Sequence, residues 1–223
     1  MHNIGFDVAH LLAGCMLALS FVLLYQDRIT AVLNVFALQA VALSLSVAWQ
    51  AYIQEAPHLL ITAVIALAIK GFVIPAALHR IVRRLGIHRE VEQVIGGGPT
   101  MLTGLGLVAL SILVVLPAGQ TVSLLAREDL AFALAVILLG LLMMITRHNA
   151  VTQIVGFMSL ENGLVLAASG AKGMPLVVEI SVAFSVLIAF TVFGVFVFRI
   201  RERFDTVDIG ALDQFRGERR DQT

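Results

Sequence analysis

Long apolar blocks broken by short polar stretches dominate this chain. A membrane-spanning helix needs about 20 mostly apolar residues. Seven segments meet or nearly meet that length: 8–25, 31–50, 57–79, 100–117, 129–145, 149–169 and 175–198. Pro57, Pro99, Pro117 and Pro175 fall at or beside segment ends, where a proline disturbs a helix least. Pro75 falls inside the third segment and predicts a kink there. The fifth and sixth segments are parted only by Thr146, Arg147, His148 and Asn149, short enough for a tight turn. The pattern predicts an all-α fold, a polytopic transmembrane bundle of about seven helices.

Composition agrees. Hydrophobic residues make up 59% of the 223 and charged residues 13%, against about 25% charged in a soluble domain. Mean hydropathy is +0.96. One core could not hide so much apolar side chain. The formal net charge is zero, which gives no footing for nucleic acid. Cys15 is the one cysteine, so no internal disulfide forms, and the six histidines lack metal-ligand spacing. Leu12-Ala13-Gly14-Cys15 resembles a lipoprotein cleavage box. No basic residue precedes it and the apolar run continues to Leu24, so the first helix is expected to be retained.

Loop charges predict an orientation. With seven helices, one side receives Arg28, the four arginines between 80 and 89, Arg147 and the six arginines of the tail. The other receives Arg127 and Lys172. Basic residues concentrate on the cytoplasmic side, which predicts the N-terminus outside and the C-terminus in the cytoplasm. Residues 1–198 then form the transmembrane domain and 199–223 a cytoplasmic tail. Gly96-Gly97-Gly98-Pro99 lacks the Lys-Ser/Thr and the strand of a phosphate loop and reads as a linker. Leu38-Gln39 and Leu160-Glu161 occupy similar places in the second and sixth segments, a weak sign of an internal repeat.

The informative residues are polar groups inside apolar runs. Lys70 lies 13 residues into the third segment and Glu161 12 residues into the sixth. Glu179 lies near the outer end of the seventh segment, and Gln39 midway along the second. A central Lys or Asp costs about 2.5–3.5 kcal/mol on insertion scales, so it persists with a partner or a task. At ~1.5 Å per residue, Lys70 and Glu161 share a depth near the bilayer centre. That depth suits proton relay, because a carboxyl and an amine that have both lost water differ less in proton affinity than they do in solution. Glu161, Lys70, Glu179 and Gln39 are therefore the candidate proton-relay residues.

Each also has a plainer reading. Lys70 and Glu161 could be a static ion pair that fixes packing. Glu179 could be solvated at the interface, and Gln39 could be a helix-to-helix hydrogen bond. Gly156, Ser159, Gly163 and Ala167 form a small-residue stripe suited to close helix packing, and Glu161 projects away from it. No Ser/His/Asp spacing, cysteine pair, haem-type histidine pair or nucleotide loop appears. Catalytic residues, metal ligands and cofactor-binding residues are thus not expected in this chain.

Thr-Arg-His-Asn-Ala-Val-Thr-Gln-Ile-Val-Gly-Phe-Met-Ser-Leu-Glu-Asn-Gly at 146–163 resembles the second-helix motif of the K subunit of respiratory complex I. The stretch 208–217, Asp-Ile-Gly-Ala-Leu-Asp-Gln-Phe-Arg-Gly, resembles that subunit's closing segment. The K-like match covers roughly 129–217, with its helical unit at 129–198. With extra helices ahead of that unit, the whole chain resembles hydrogenase-4 component E, a membrane subunit of group 4 nickel–iron hydrogenase and formate hydrogenlyase complexes. Aligned on Asn149, Gly156 and Asn162, the K-subunit glutamate position falls on Met158, and Glu161 lies about one turn later. The third-helix glutamate falls near Val186, where this chain offers Glu179 about two turns earlier.

The resemblance implies a non-catalytic subunit of an oxidoreductase complex in a bacterial or archaeal plasma membrane. Its implied partners are antiporter-like membrane subunits and hydrogenase subunits, which would carry nickel–iron and iron–sulfur centres, with none in this chain. Its carboxylates would contribute to proton translocation: Glu161 as central relay, Lys70 as exchanging cation, Glu179 as outward contact. Two other assignments stay open, a scaffold that translocates nothing and a subunit of a multi-subunit cation/proton antiporter.

Overall fold

A computed structural model gives the fold and describes residues 2–85, 96–118 and 124–170, together with Leu187 and Thr191. The chain divides into two units, Met1–Val186 and Leu187–Thr223. In the second, Thr191 Oγ1 donates to the Leu187 carbonyl at 2.9 Å, one helical turn back. The seventh expected helix, Glu179 and the tail otherwise lie outside the described residues.

The described part is all helical. Its elements are α1 (His2–Tyr25), α2 (Ile29–Ile53), α3 (Pro57–Ala66), a π-helical segment (Leu67–Val73), α4 (Ile74–Leu85), α5 (Gly97–Ala118), α6 (Leu124–Thr146) and α7 (Ala150–Gly170). Six stretches are long and apolar enough to cross a membrane: Asp7–Tyr25, Ile29–Ile53, Pro57–Arg83, Gly97–Pro117, Glu128–Thr146 and Val151–Gly170. These match the first six apolar segments, and the chain is a multi-pass membrane protein. At ~1.5 Å per residue, α2 alone is about 37 Å long, against a hydrocarbon core of about 30 Å. Tyr25 is exposed where α1 ends, and Tyr52 is exposed at the far end of α2 with Trp49 beside it. Amphipathic rings thus sit at both ends of the bundle, as at membrane interfaces.

The break expected at Pro75 takes the form of a wide turn just before it. Proline has no N–H, and its ring crowds the carbonyl four residues back, here that of Gly71. The Ile74 N–H reaches the Ile69 carbonyl, five residues back, which is π rather than α spacing. Helical winding continues through this segment, so α3, the π turns and α4 cross as one span. Lys70 lies inside the π segment.

Two packing relations place the site. α6 and α7 form an antiparallel hairpin with their backbones nearly touching. A Cβ on Gly140 would lie 2.6 Å from the Leu160 backbone nitrogen, and one on Gly163 would lie 2.9 Å from the Ala133 carbonyl oxygen. Gly156 meets the Gly140 carbonyl oxygen in the same way. Small residues allow this approach, the usual means of close packing in membranes. α2 packs against α1, α3, the π segment, α4 and α7, and its Phe36, Leu43 and Val47 are fully buried. An apolar cluster including Ala13, Met16, Leu43, Val47, Ala63, Val136 and Val165 joins α1, α2, α3, α6 and α7.

Candidate functional site

Within this apolar interior lies one connected set of buried polar side chains. α7 supplies Ser159, Glu161 and Asn162, the π segment Lys70, α2 Gln39 and α1 Ser20; each is at most 4% exposed. Gln39 is the eleventh residue of α2 and Glu161 the twelfth of α7, so both sit near mid-helix.

Lys70 Nζ lies 3.2 Å from Glu161 Oε1. The shared depth read from the sequence therefore becomes direct contact. Lys70 Nζ also donates to Asn162 Oδ1 at 3.0 Å. Asn162 Nδ2 donates to Gln39 Oε1 at 3.2 Å. Gln39 Nε2 then donates to Ser20 Oγ at 2.8 Å and to Ser159 Oγ at 3.0 Å. Ser20 Oγ donates to the Met16 carbonyl of its own helix at 2.9 Å.

Of the four residues singled out by sequence, the structure brings together Lys70, Glu161 and Gln39; Glu179 lies outside the described residues. Sequence reasoning missed Asn162, the link between Lys70 and Gln39. A usable signal was present, since an amide beside a mid-membrane carboxylate needs partners of its own. It also missed Ser20. Ser159 had been grouped with the packing stripe, but its hydroxyl accepts from Gln39. Gly156 and Gly163 keep the packing role.

Two charges out of water cost several kcal/mol each, offset only when geometry and further hydrogen bonds are good. Here a contact ion pair and an amide acceptor supply both. A proton moving from Lys70 to Glu161 would convert the ion pair into a neutral amine and acid at the same separation. The geometry thus permits proton exchange within the pair without helix movement.

The rest of the 146–163 stretch has structural work. Arg147 is buried in the turn between α6 and α7, and its Nη2 donates to the carbonyls of Leu24 at 2.6 Å and Gln26 at 2.9 Å. These carbonyls lie at the end of α1, where helices leave acceptors without partners, and Asp27 supplies a nearby negative charge. Gln153 Nε2 donates to the Arg147 carbonyl at 2.8 Å. Asn149 Oδ1 accepts from the Val151 N–H at 2.9 Å and caps α7. Toward the other end of the bundle, His10 of α1 reaches Asp129 of α6 at 3.3 Å and Glu128 at 3.7 Å. No group of three or more metal-ligating side chains with suitable geometry occurs among the described residues.

No family model matches the chain, and no solved structure matches it significantly. Among curated proteins, an uncharacterized protein of Mycobacterium tuberculosis is 27% identical over 219 residues, 97% of this chain and 100% of the relative. Hydrogenase-4 component E of Escherichia coli K12 is 28% identical over 217 residues, 96% of this chain and 99% of the relative. The same protein of Shigella flexneri matches equally. A multi-pass chain with a charged polar centre is therefore similar, over nearly its full length, to a hydrogenase-4 component.

Proposed function

We propose that this chain is a membrane subunit of a hydrogenase-4-type complex, and that Glu161 and Lys70 exchange protons as part of translocation coupled to electron transfer. The observation that carries this reading is the buried pair, 3.2 Å apart in mid-membrane. The end-to-end similarity to hydrogenase-4 component E supports the assignment to a hydrogenase complex. In this reading Glu161 is the central relay carboxyl, Lys70 its exchanging cation and Glu179 the outward contact. The N-terminus lies outside and the tail in the cytoplasm, as the loop charges suggest. Residues 129–198 act as a unit like the complex I K subunit. Antiporter-like and hydrogenase subunits are the partners, and redox chemistry at nickel–iron and iron–sulfur centres belongs to them.

The competing role is a scaffold, favoured by how fully the pair is enclosed. One double substitution separates the two. Lys70→Met with Glu161→Leu removes both charges and keeps apolar volume. Isolation of the complex from native membranes should yield nickel–iron hydrogenase subunits with either chain. The relay reading expects the double variant to lose proton translocation while still evolving hydrogen. Full translocation by that variant would leave the scaffold as the answer, and absence of hydrogenase subunits would reject the complex.

A further inference from the structure

We propose that Asn162 and Gln39 are positioning residues that hold Lys70 beside Glu161 in both charge states and end the proton's route on that side. Lys70 is then a proton store that exchanges with Glu161 alone. This inference rests on the reading of Glu161 as a proton-exchanging carboxyl.

The first step concerns geometry through a cycle. A lysine held only by a carboxylate is held by charge. When a proton crosses to Glu161, both charges vanish, and the four-carbon stem would be free to turn. Asn162 Oδ1 changes this, because a neutral amine still has N–H groups to donate. The 3.0 Å bond to Asn162 therefore tethers Nζ whether or not the pair is charged. Asn162 is fixed in turn: its oxygen faces Lys70, so its nitrogen faces Gln39 Oε1. That turns the Gln39 nitrogen toward Ser20 and Ser159. Both amide donors then point away from Lys70, and one amide flip would break several bonds at once.

The second step concerns conduction. A hydrogen-bonded chain carries a proton when each member can take one and release another, as hydroxyl, carboxyl, imidazole and water do. A side-chain amide presents a fixed carbonyl acceptor and a fixed NH₂ donor. Passing a proton through it would require the imidic acid form. Two amides in series, Asn162 and Gln39, stand between Lys70 and the serines. Beyond them Ser20 ends on the Met16 carbonyl, and Met16 belongs to the apolar cluster. The polar chain is continuous in space but interrupted for protons.

No other ionisable group offers a detour among the described residues. Glu161 is the one ionisable residue of α7, and α2 carries none before Tyr52 near its end. On α1, Asp7, Cys15 and Tyr25 are exposed, and His10 is paired with Asp129 and Glu128 of α6. Along the third span, His58 lies twelve residues before Lys70, and His79, Arg80 and Arg83 lie nine or more after it.

The test uses the assembled complex in inverted membrane vesicles, with proton uptake per hydrogen evolved followed by a pH-sensitive dye across a range of pH. Ser20→Ala and Ser159→Ala, made singly, should each leave coupling and its pH profile unchanged, because the remaining serine still accepts from Gln39 and both lie beyond the amides. Loss of coupling in either variant would overturn the inference, since protons would then be passing through Gln39. Asn162→Leu should shift the profile toward acid by up to about one pH unit, because the lost bond is stronger to the ammonium than to the neutral amine and only that difference moves the profile. Asn162→Gln, which keeps an uncharged amide at this position, should restore part of it. An unshifted profile in Asn162→Leu would also overturn the inference. If Asn162→Leu does not assemble, the serine variants still decide. Glu161→Gln is the control for the underlying reading: full coupling there rejects the exchange itself, whereas loss there with loss in either serine variant rejects only the positioning role.

Discussion

Replacing Lys70 by methionine keeps most of the side chain's length and its apolar character and removes its charge. Glu161 would then stay buried at 4% exposure without the ammonium 3.2 Å away. Two unit charges at that distance attract by about 5 kcal/mol at an effective dielectric near 20. Breaking a buried pair from one side typically costs about 3–5 kcal/mol, because the remaining charge stays desolvated. Asn162 Oδ1 also loses its donor, so the loss should fall at the upper end of that range. Replacing both partners by apolar residues removes the stranded charge, and should cost far less than the sum of the single changes. The assay is reversible denaturation of the purified chain in mixed micelles, for Lys70→Met, Glu161→Leu and the two together. A coupling energy above about 2 kcal/mol between the two sites is expected, well beyond the additivity of distant positions. Additive single effects, within about 0.5 kcal/mol, would refute the reasoning and mean that the pair contributes nothing in the folded protein.

Other regions give sharper tests of packing. Gly140→Ala would put a methyl 2.6–2.9 Å from backbone atoms of α7; forcing the hairpin apart should cost about 1–3 kcal/mol in the same micelle assay, whereas alanine at Gly106, where nothing lies within 4 Å, should cost well under that. Arg147→Ala leaves the Leu24 and Gln26 carbonyls without their donor and should lower stability by about 2–3 kcal/mol, and Arg147→Lys should recover only part, since the lysine nitrogen falls one bond short of the Nη2 that makes both contacts. Asn149→Ala removes the α7 cap and should cost about 1 kcal/mol, seen as faster amide hydrogen exchange in the first turn of α7.

Much of this was legible in the sequence, for reasons that show where legibility stops. The first six spans follow from apolar length, because a bilayer admits few ways to satisfy a backbone. Helices run past the apolar blocks, α1 from His2 and α6 from Leu124, since polar residues wind as well as apolar ones outside the hydrocarbon. Lys70 and Glu161 stood out because a charge in an apolar run is rare. That they meet was not legible, because depth follows from residue counting but azimuth follows from packing. The π segment adds to this, since it changes the angle at which Lys70 leaves its helix. Asn162 was overshadowed by Glu161 beside it. Ser20 gave no signal, because serines commonly bond back to their own helix, as Ser20 also does to Met16. Arg147 looked like an ordinary loop cation, and only the fold shows it buried against the end of α1.

The central claim is that Glu161 passes protons. It is tested most directly by Glu161→Gln in the assembled complex, with proton uptake into inverted vesicles measured per hydrogen evolved. Glutamine keeps the volume and the oxygen facing Lys70 but has no proton to exchange at neutral pH. The account predicts normal assembly and hydrogen evolution with proton translocation lost; wild-type translocation per hydrogen in that variant would contradict it.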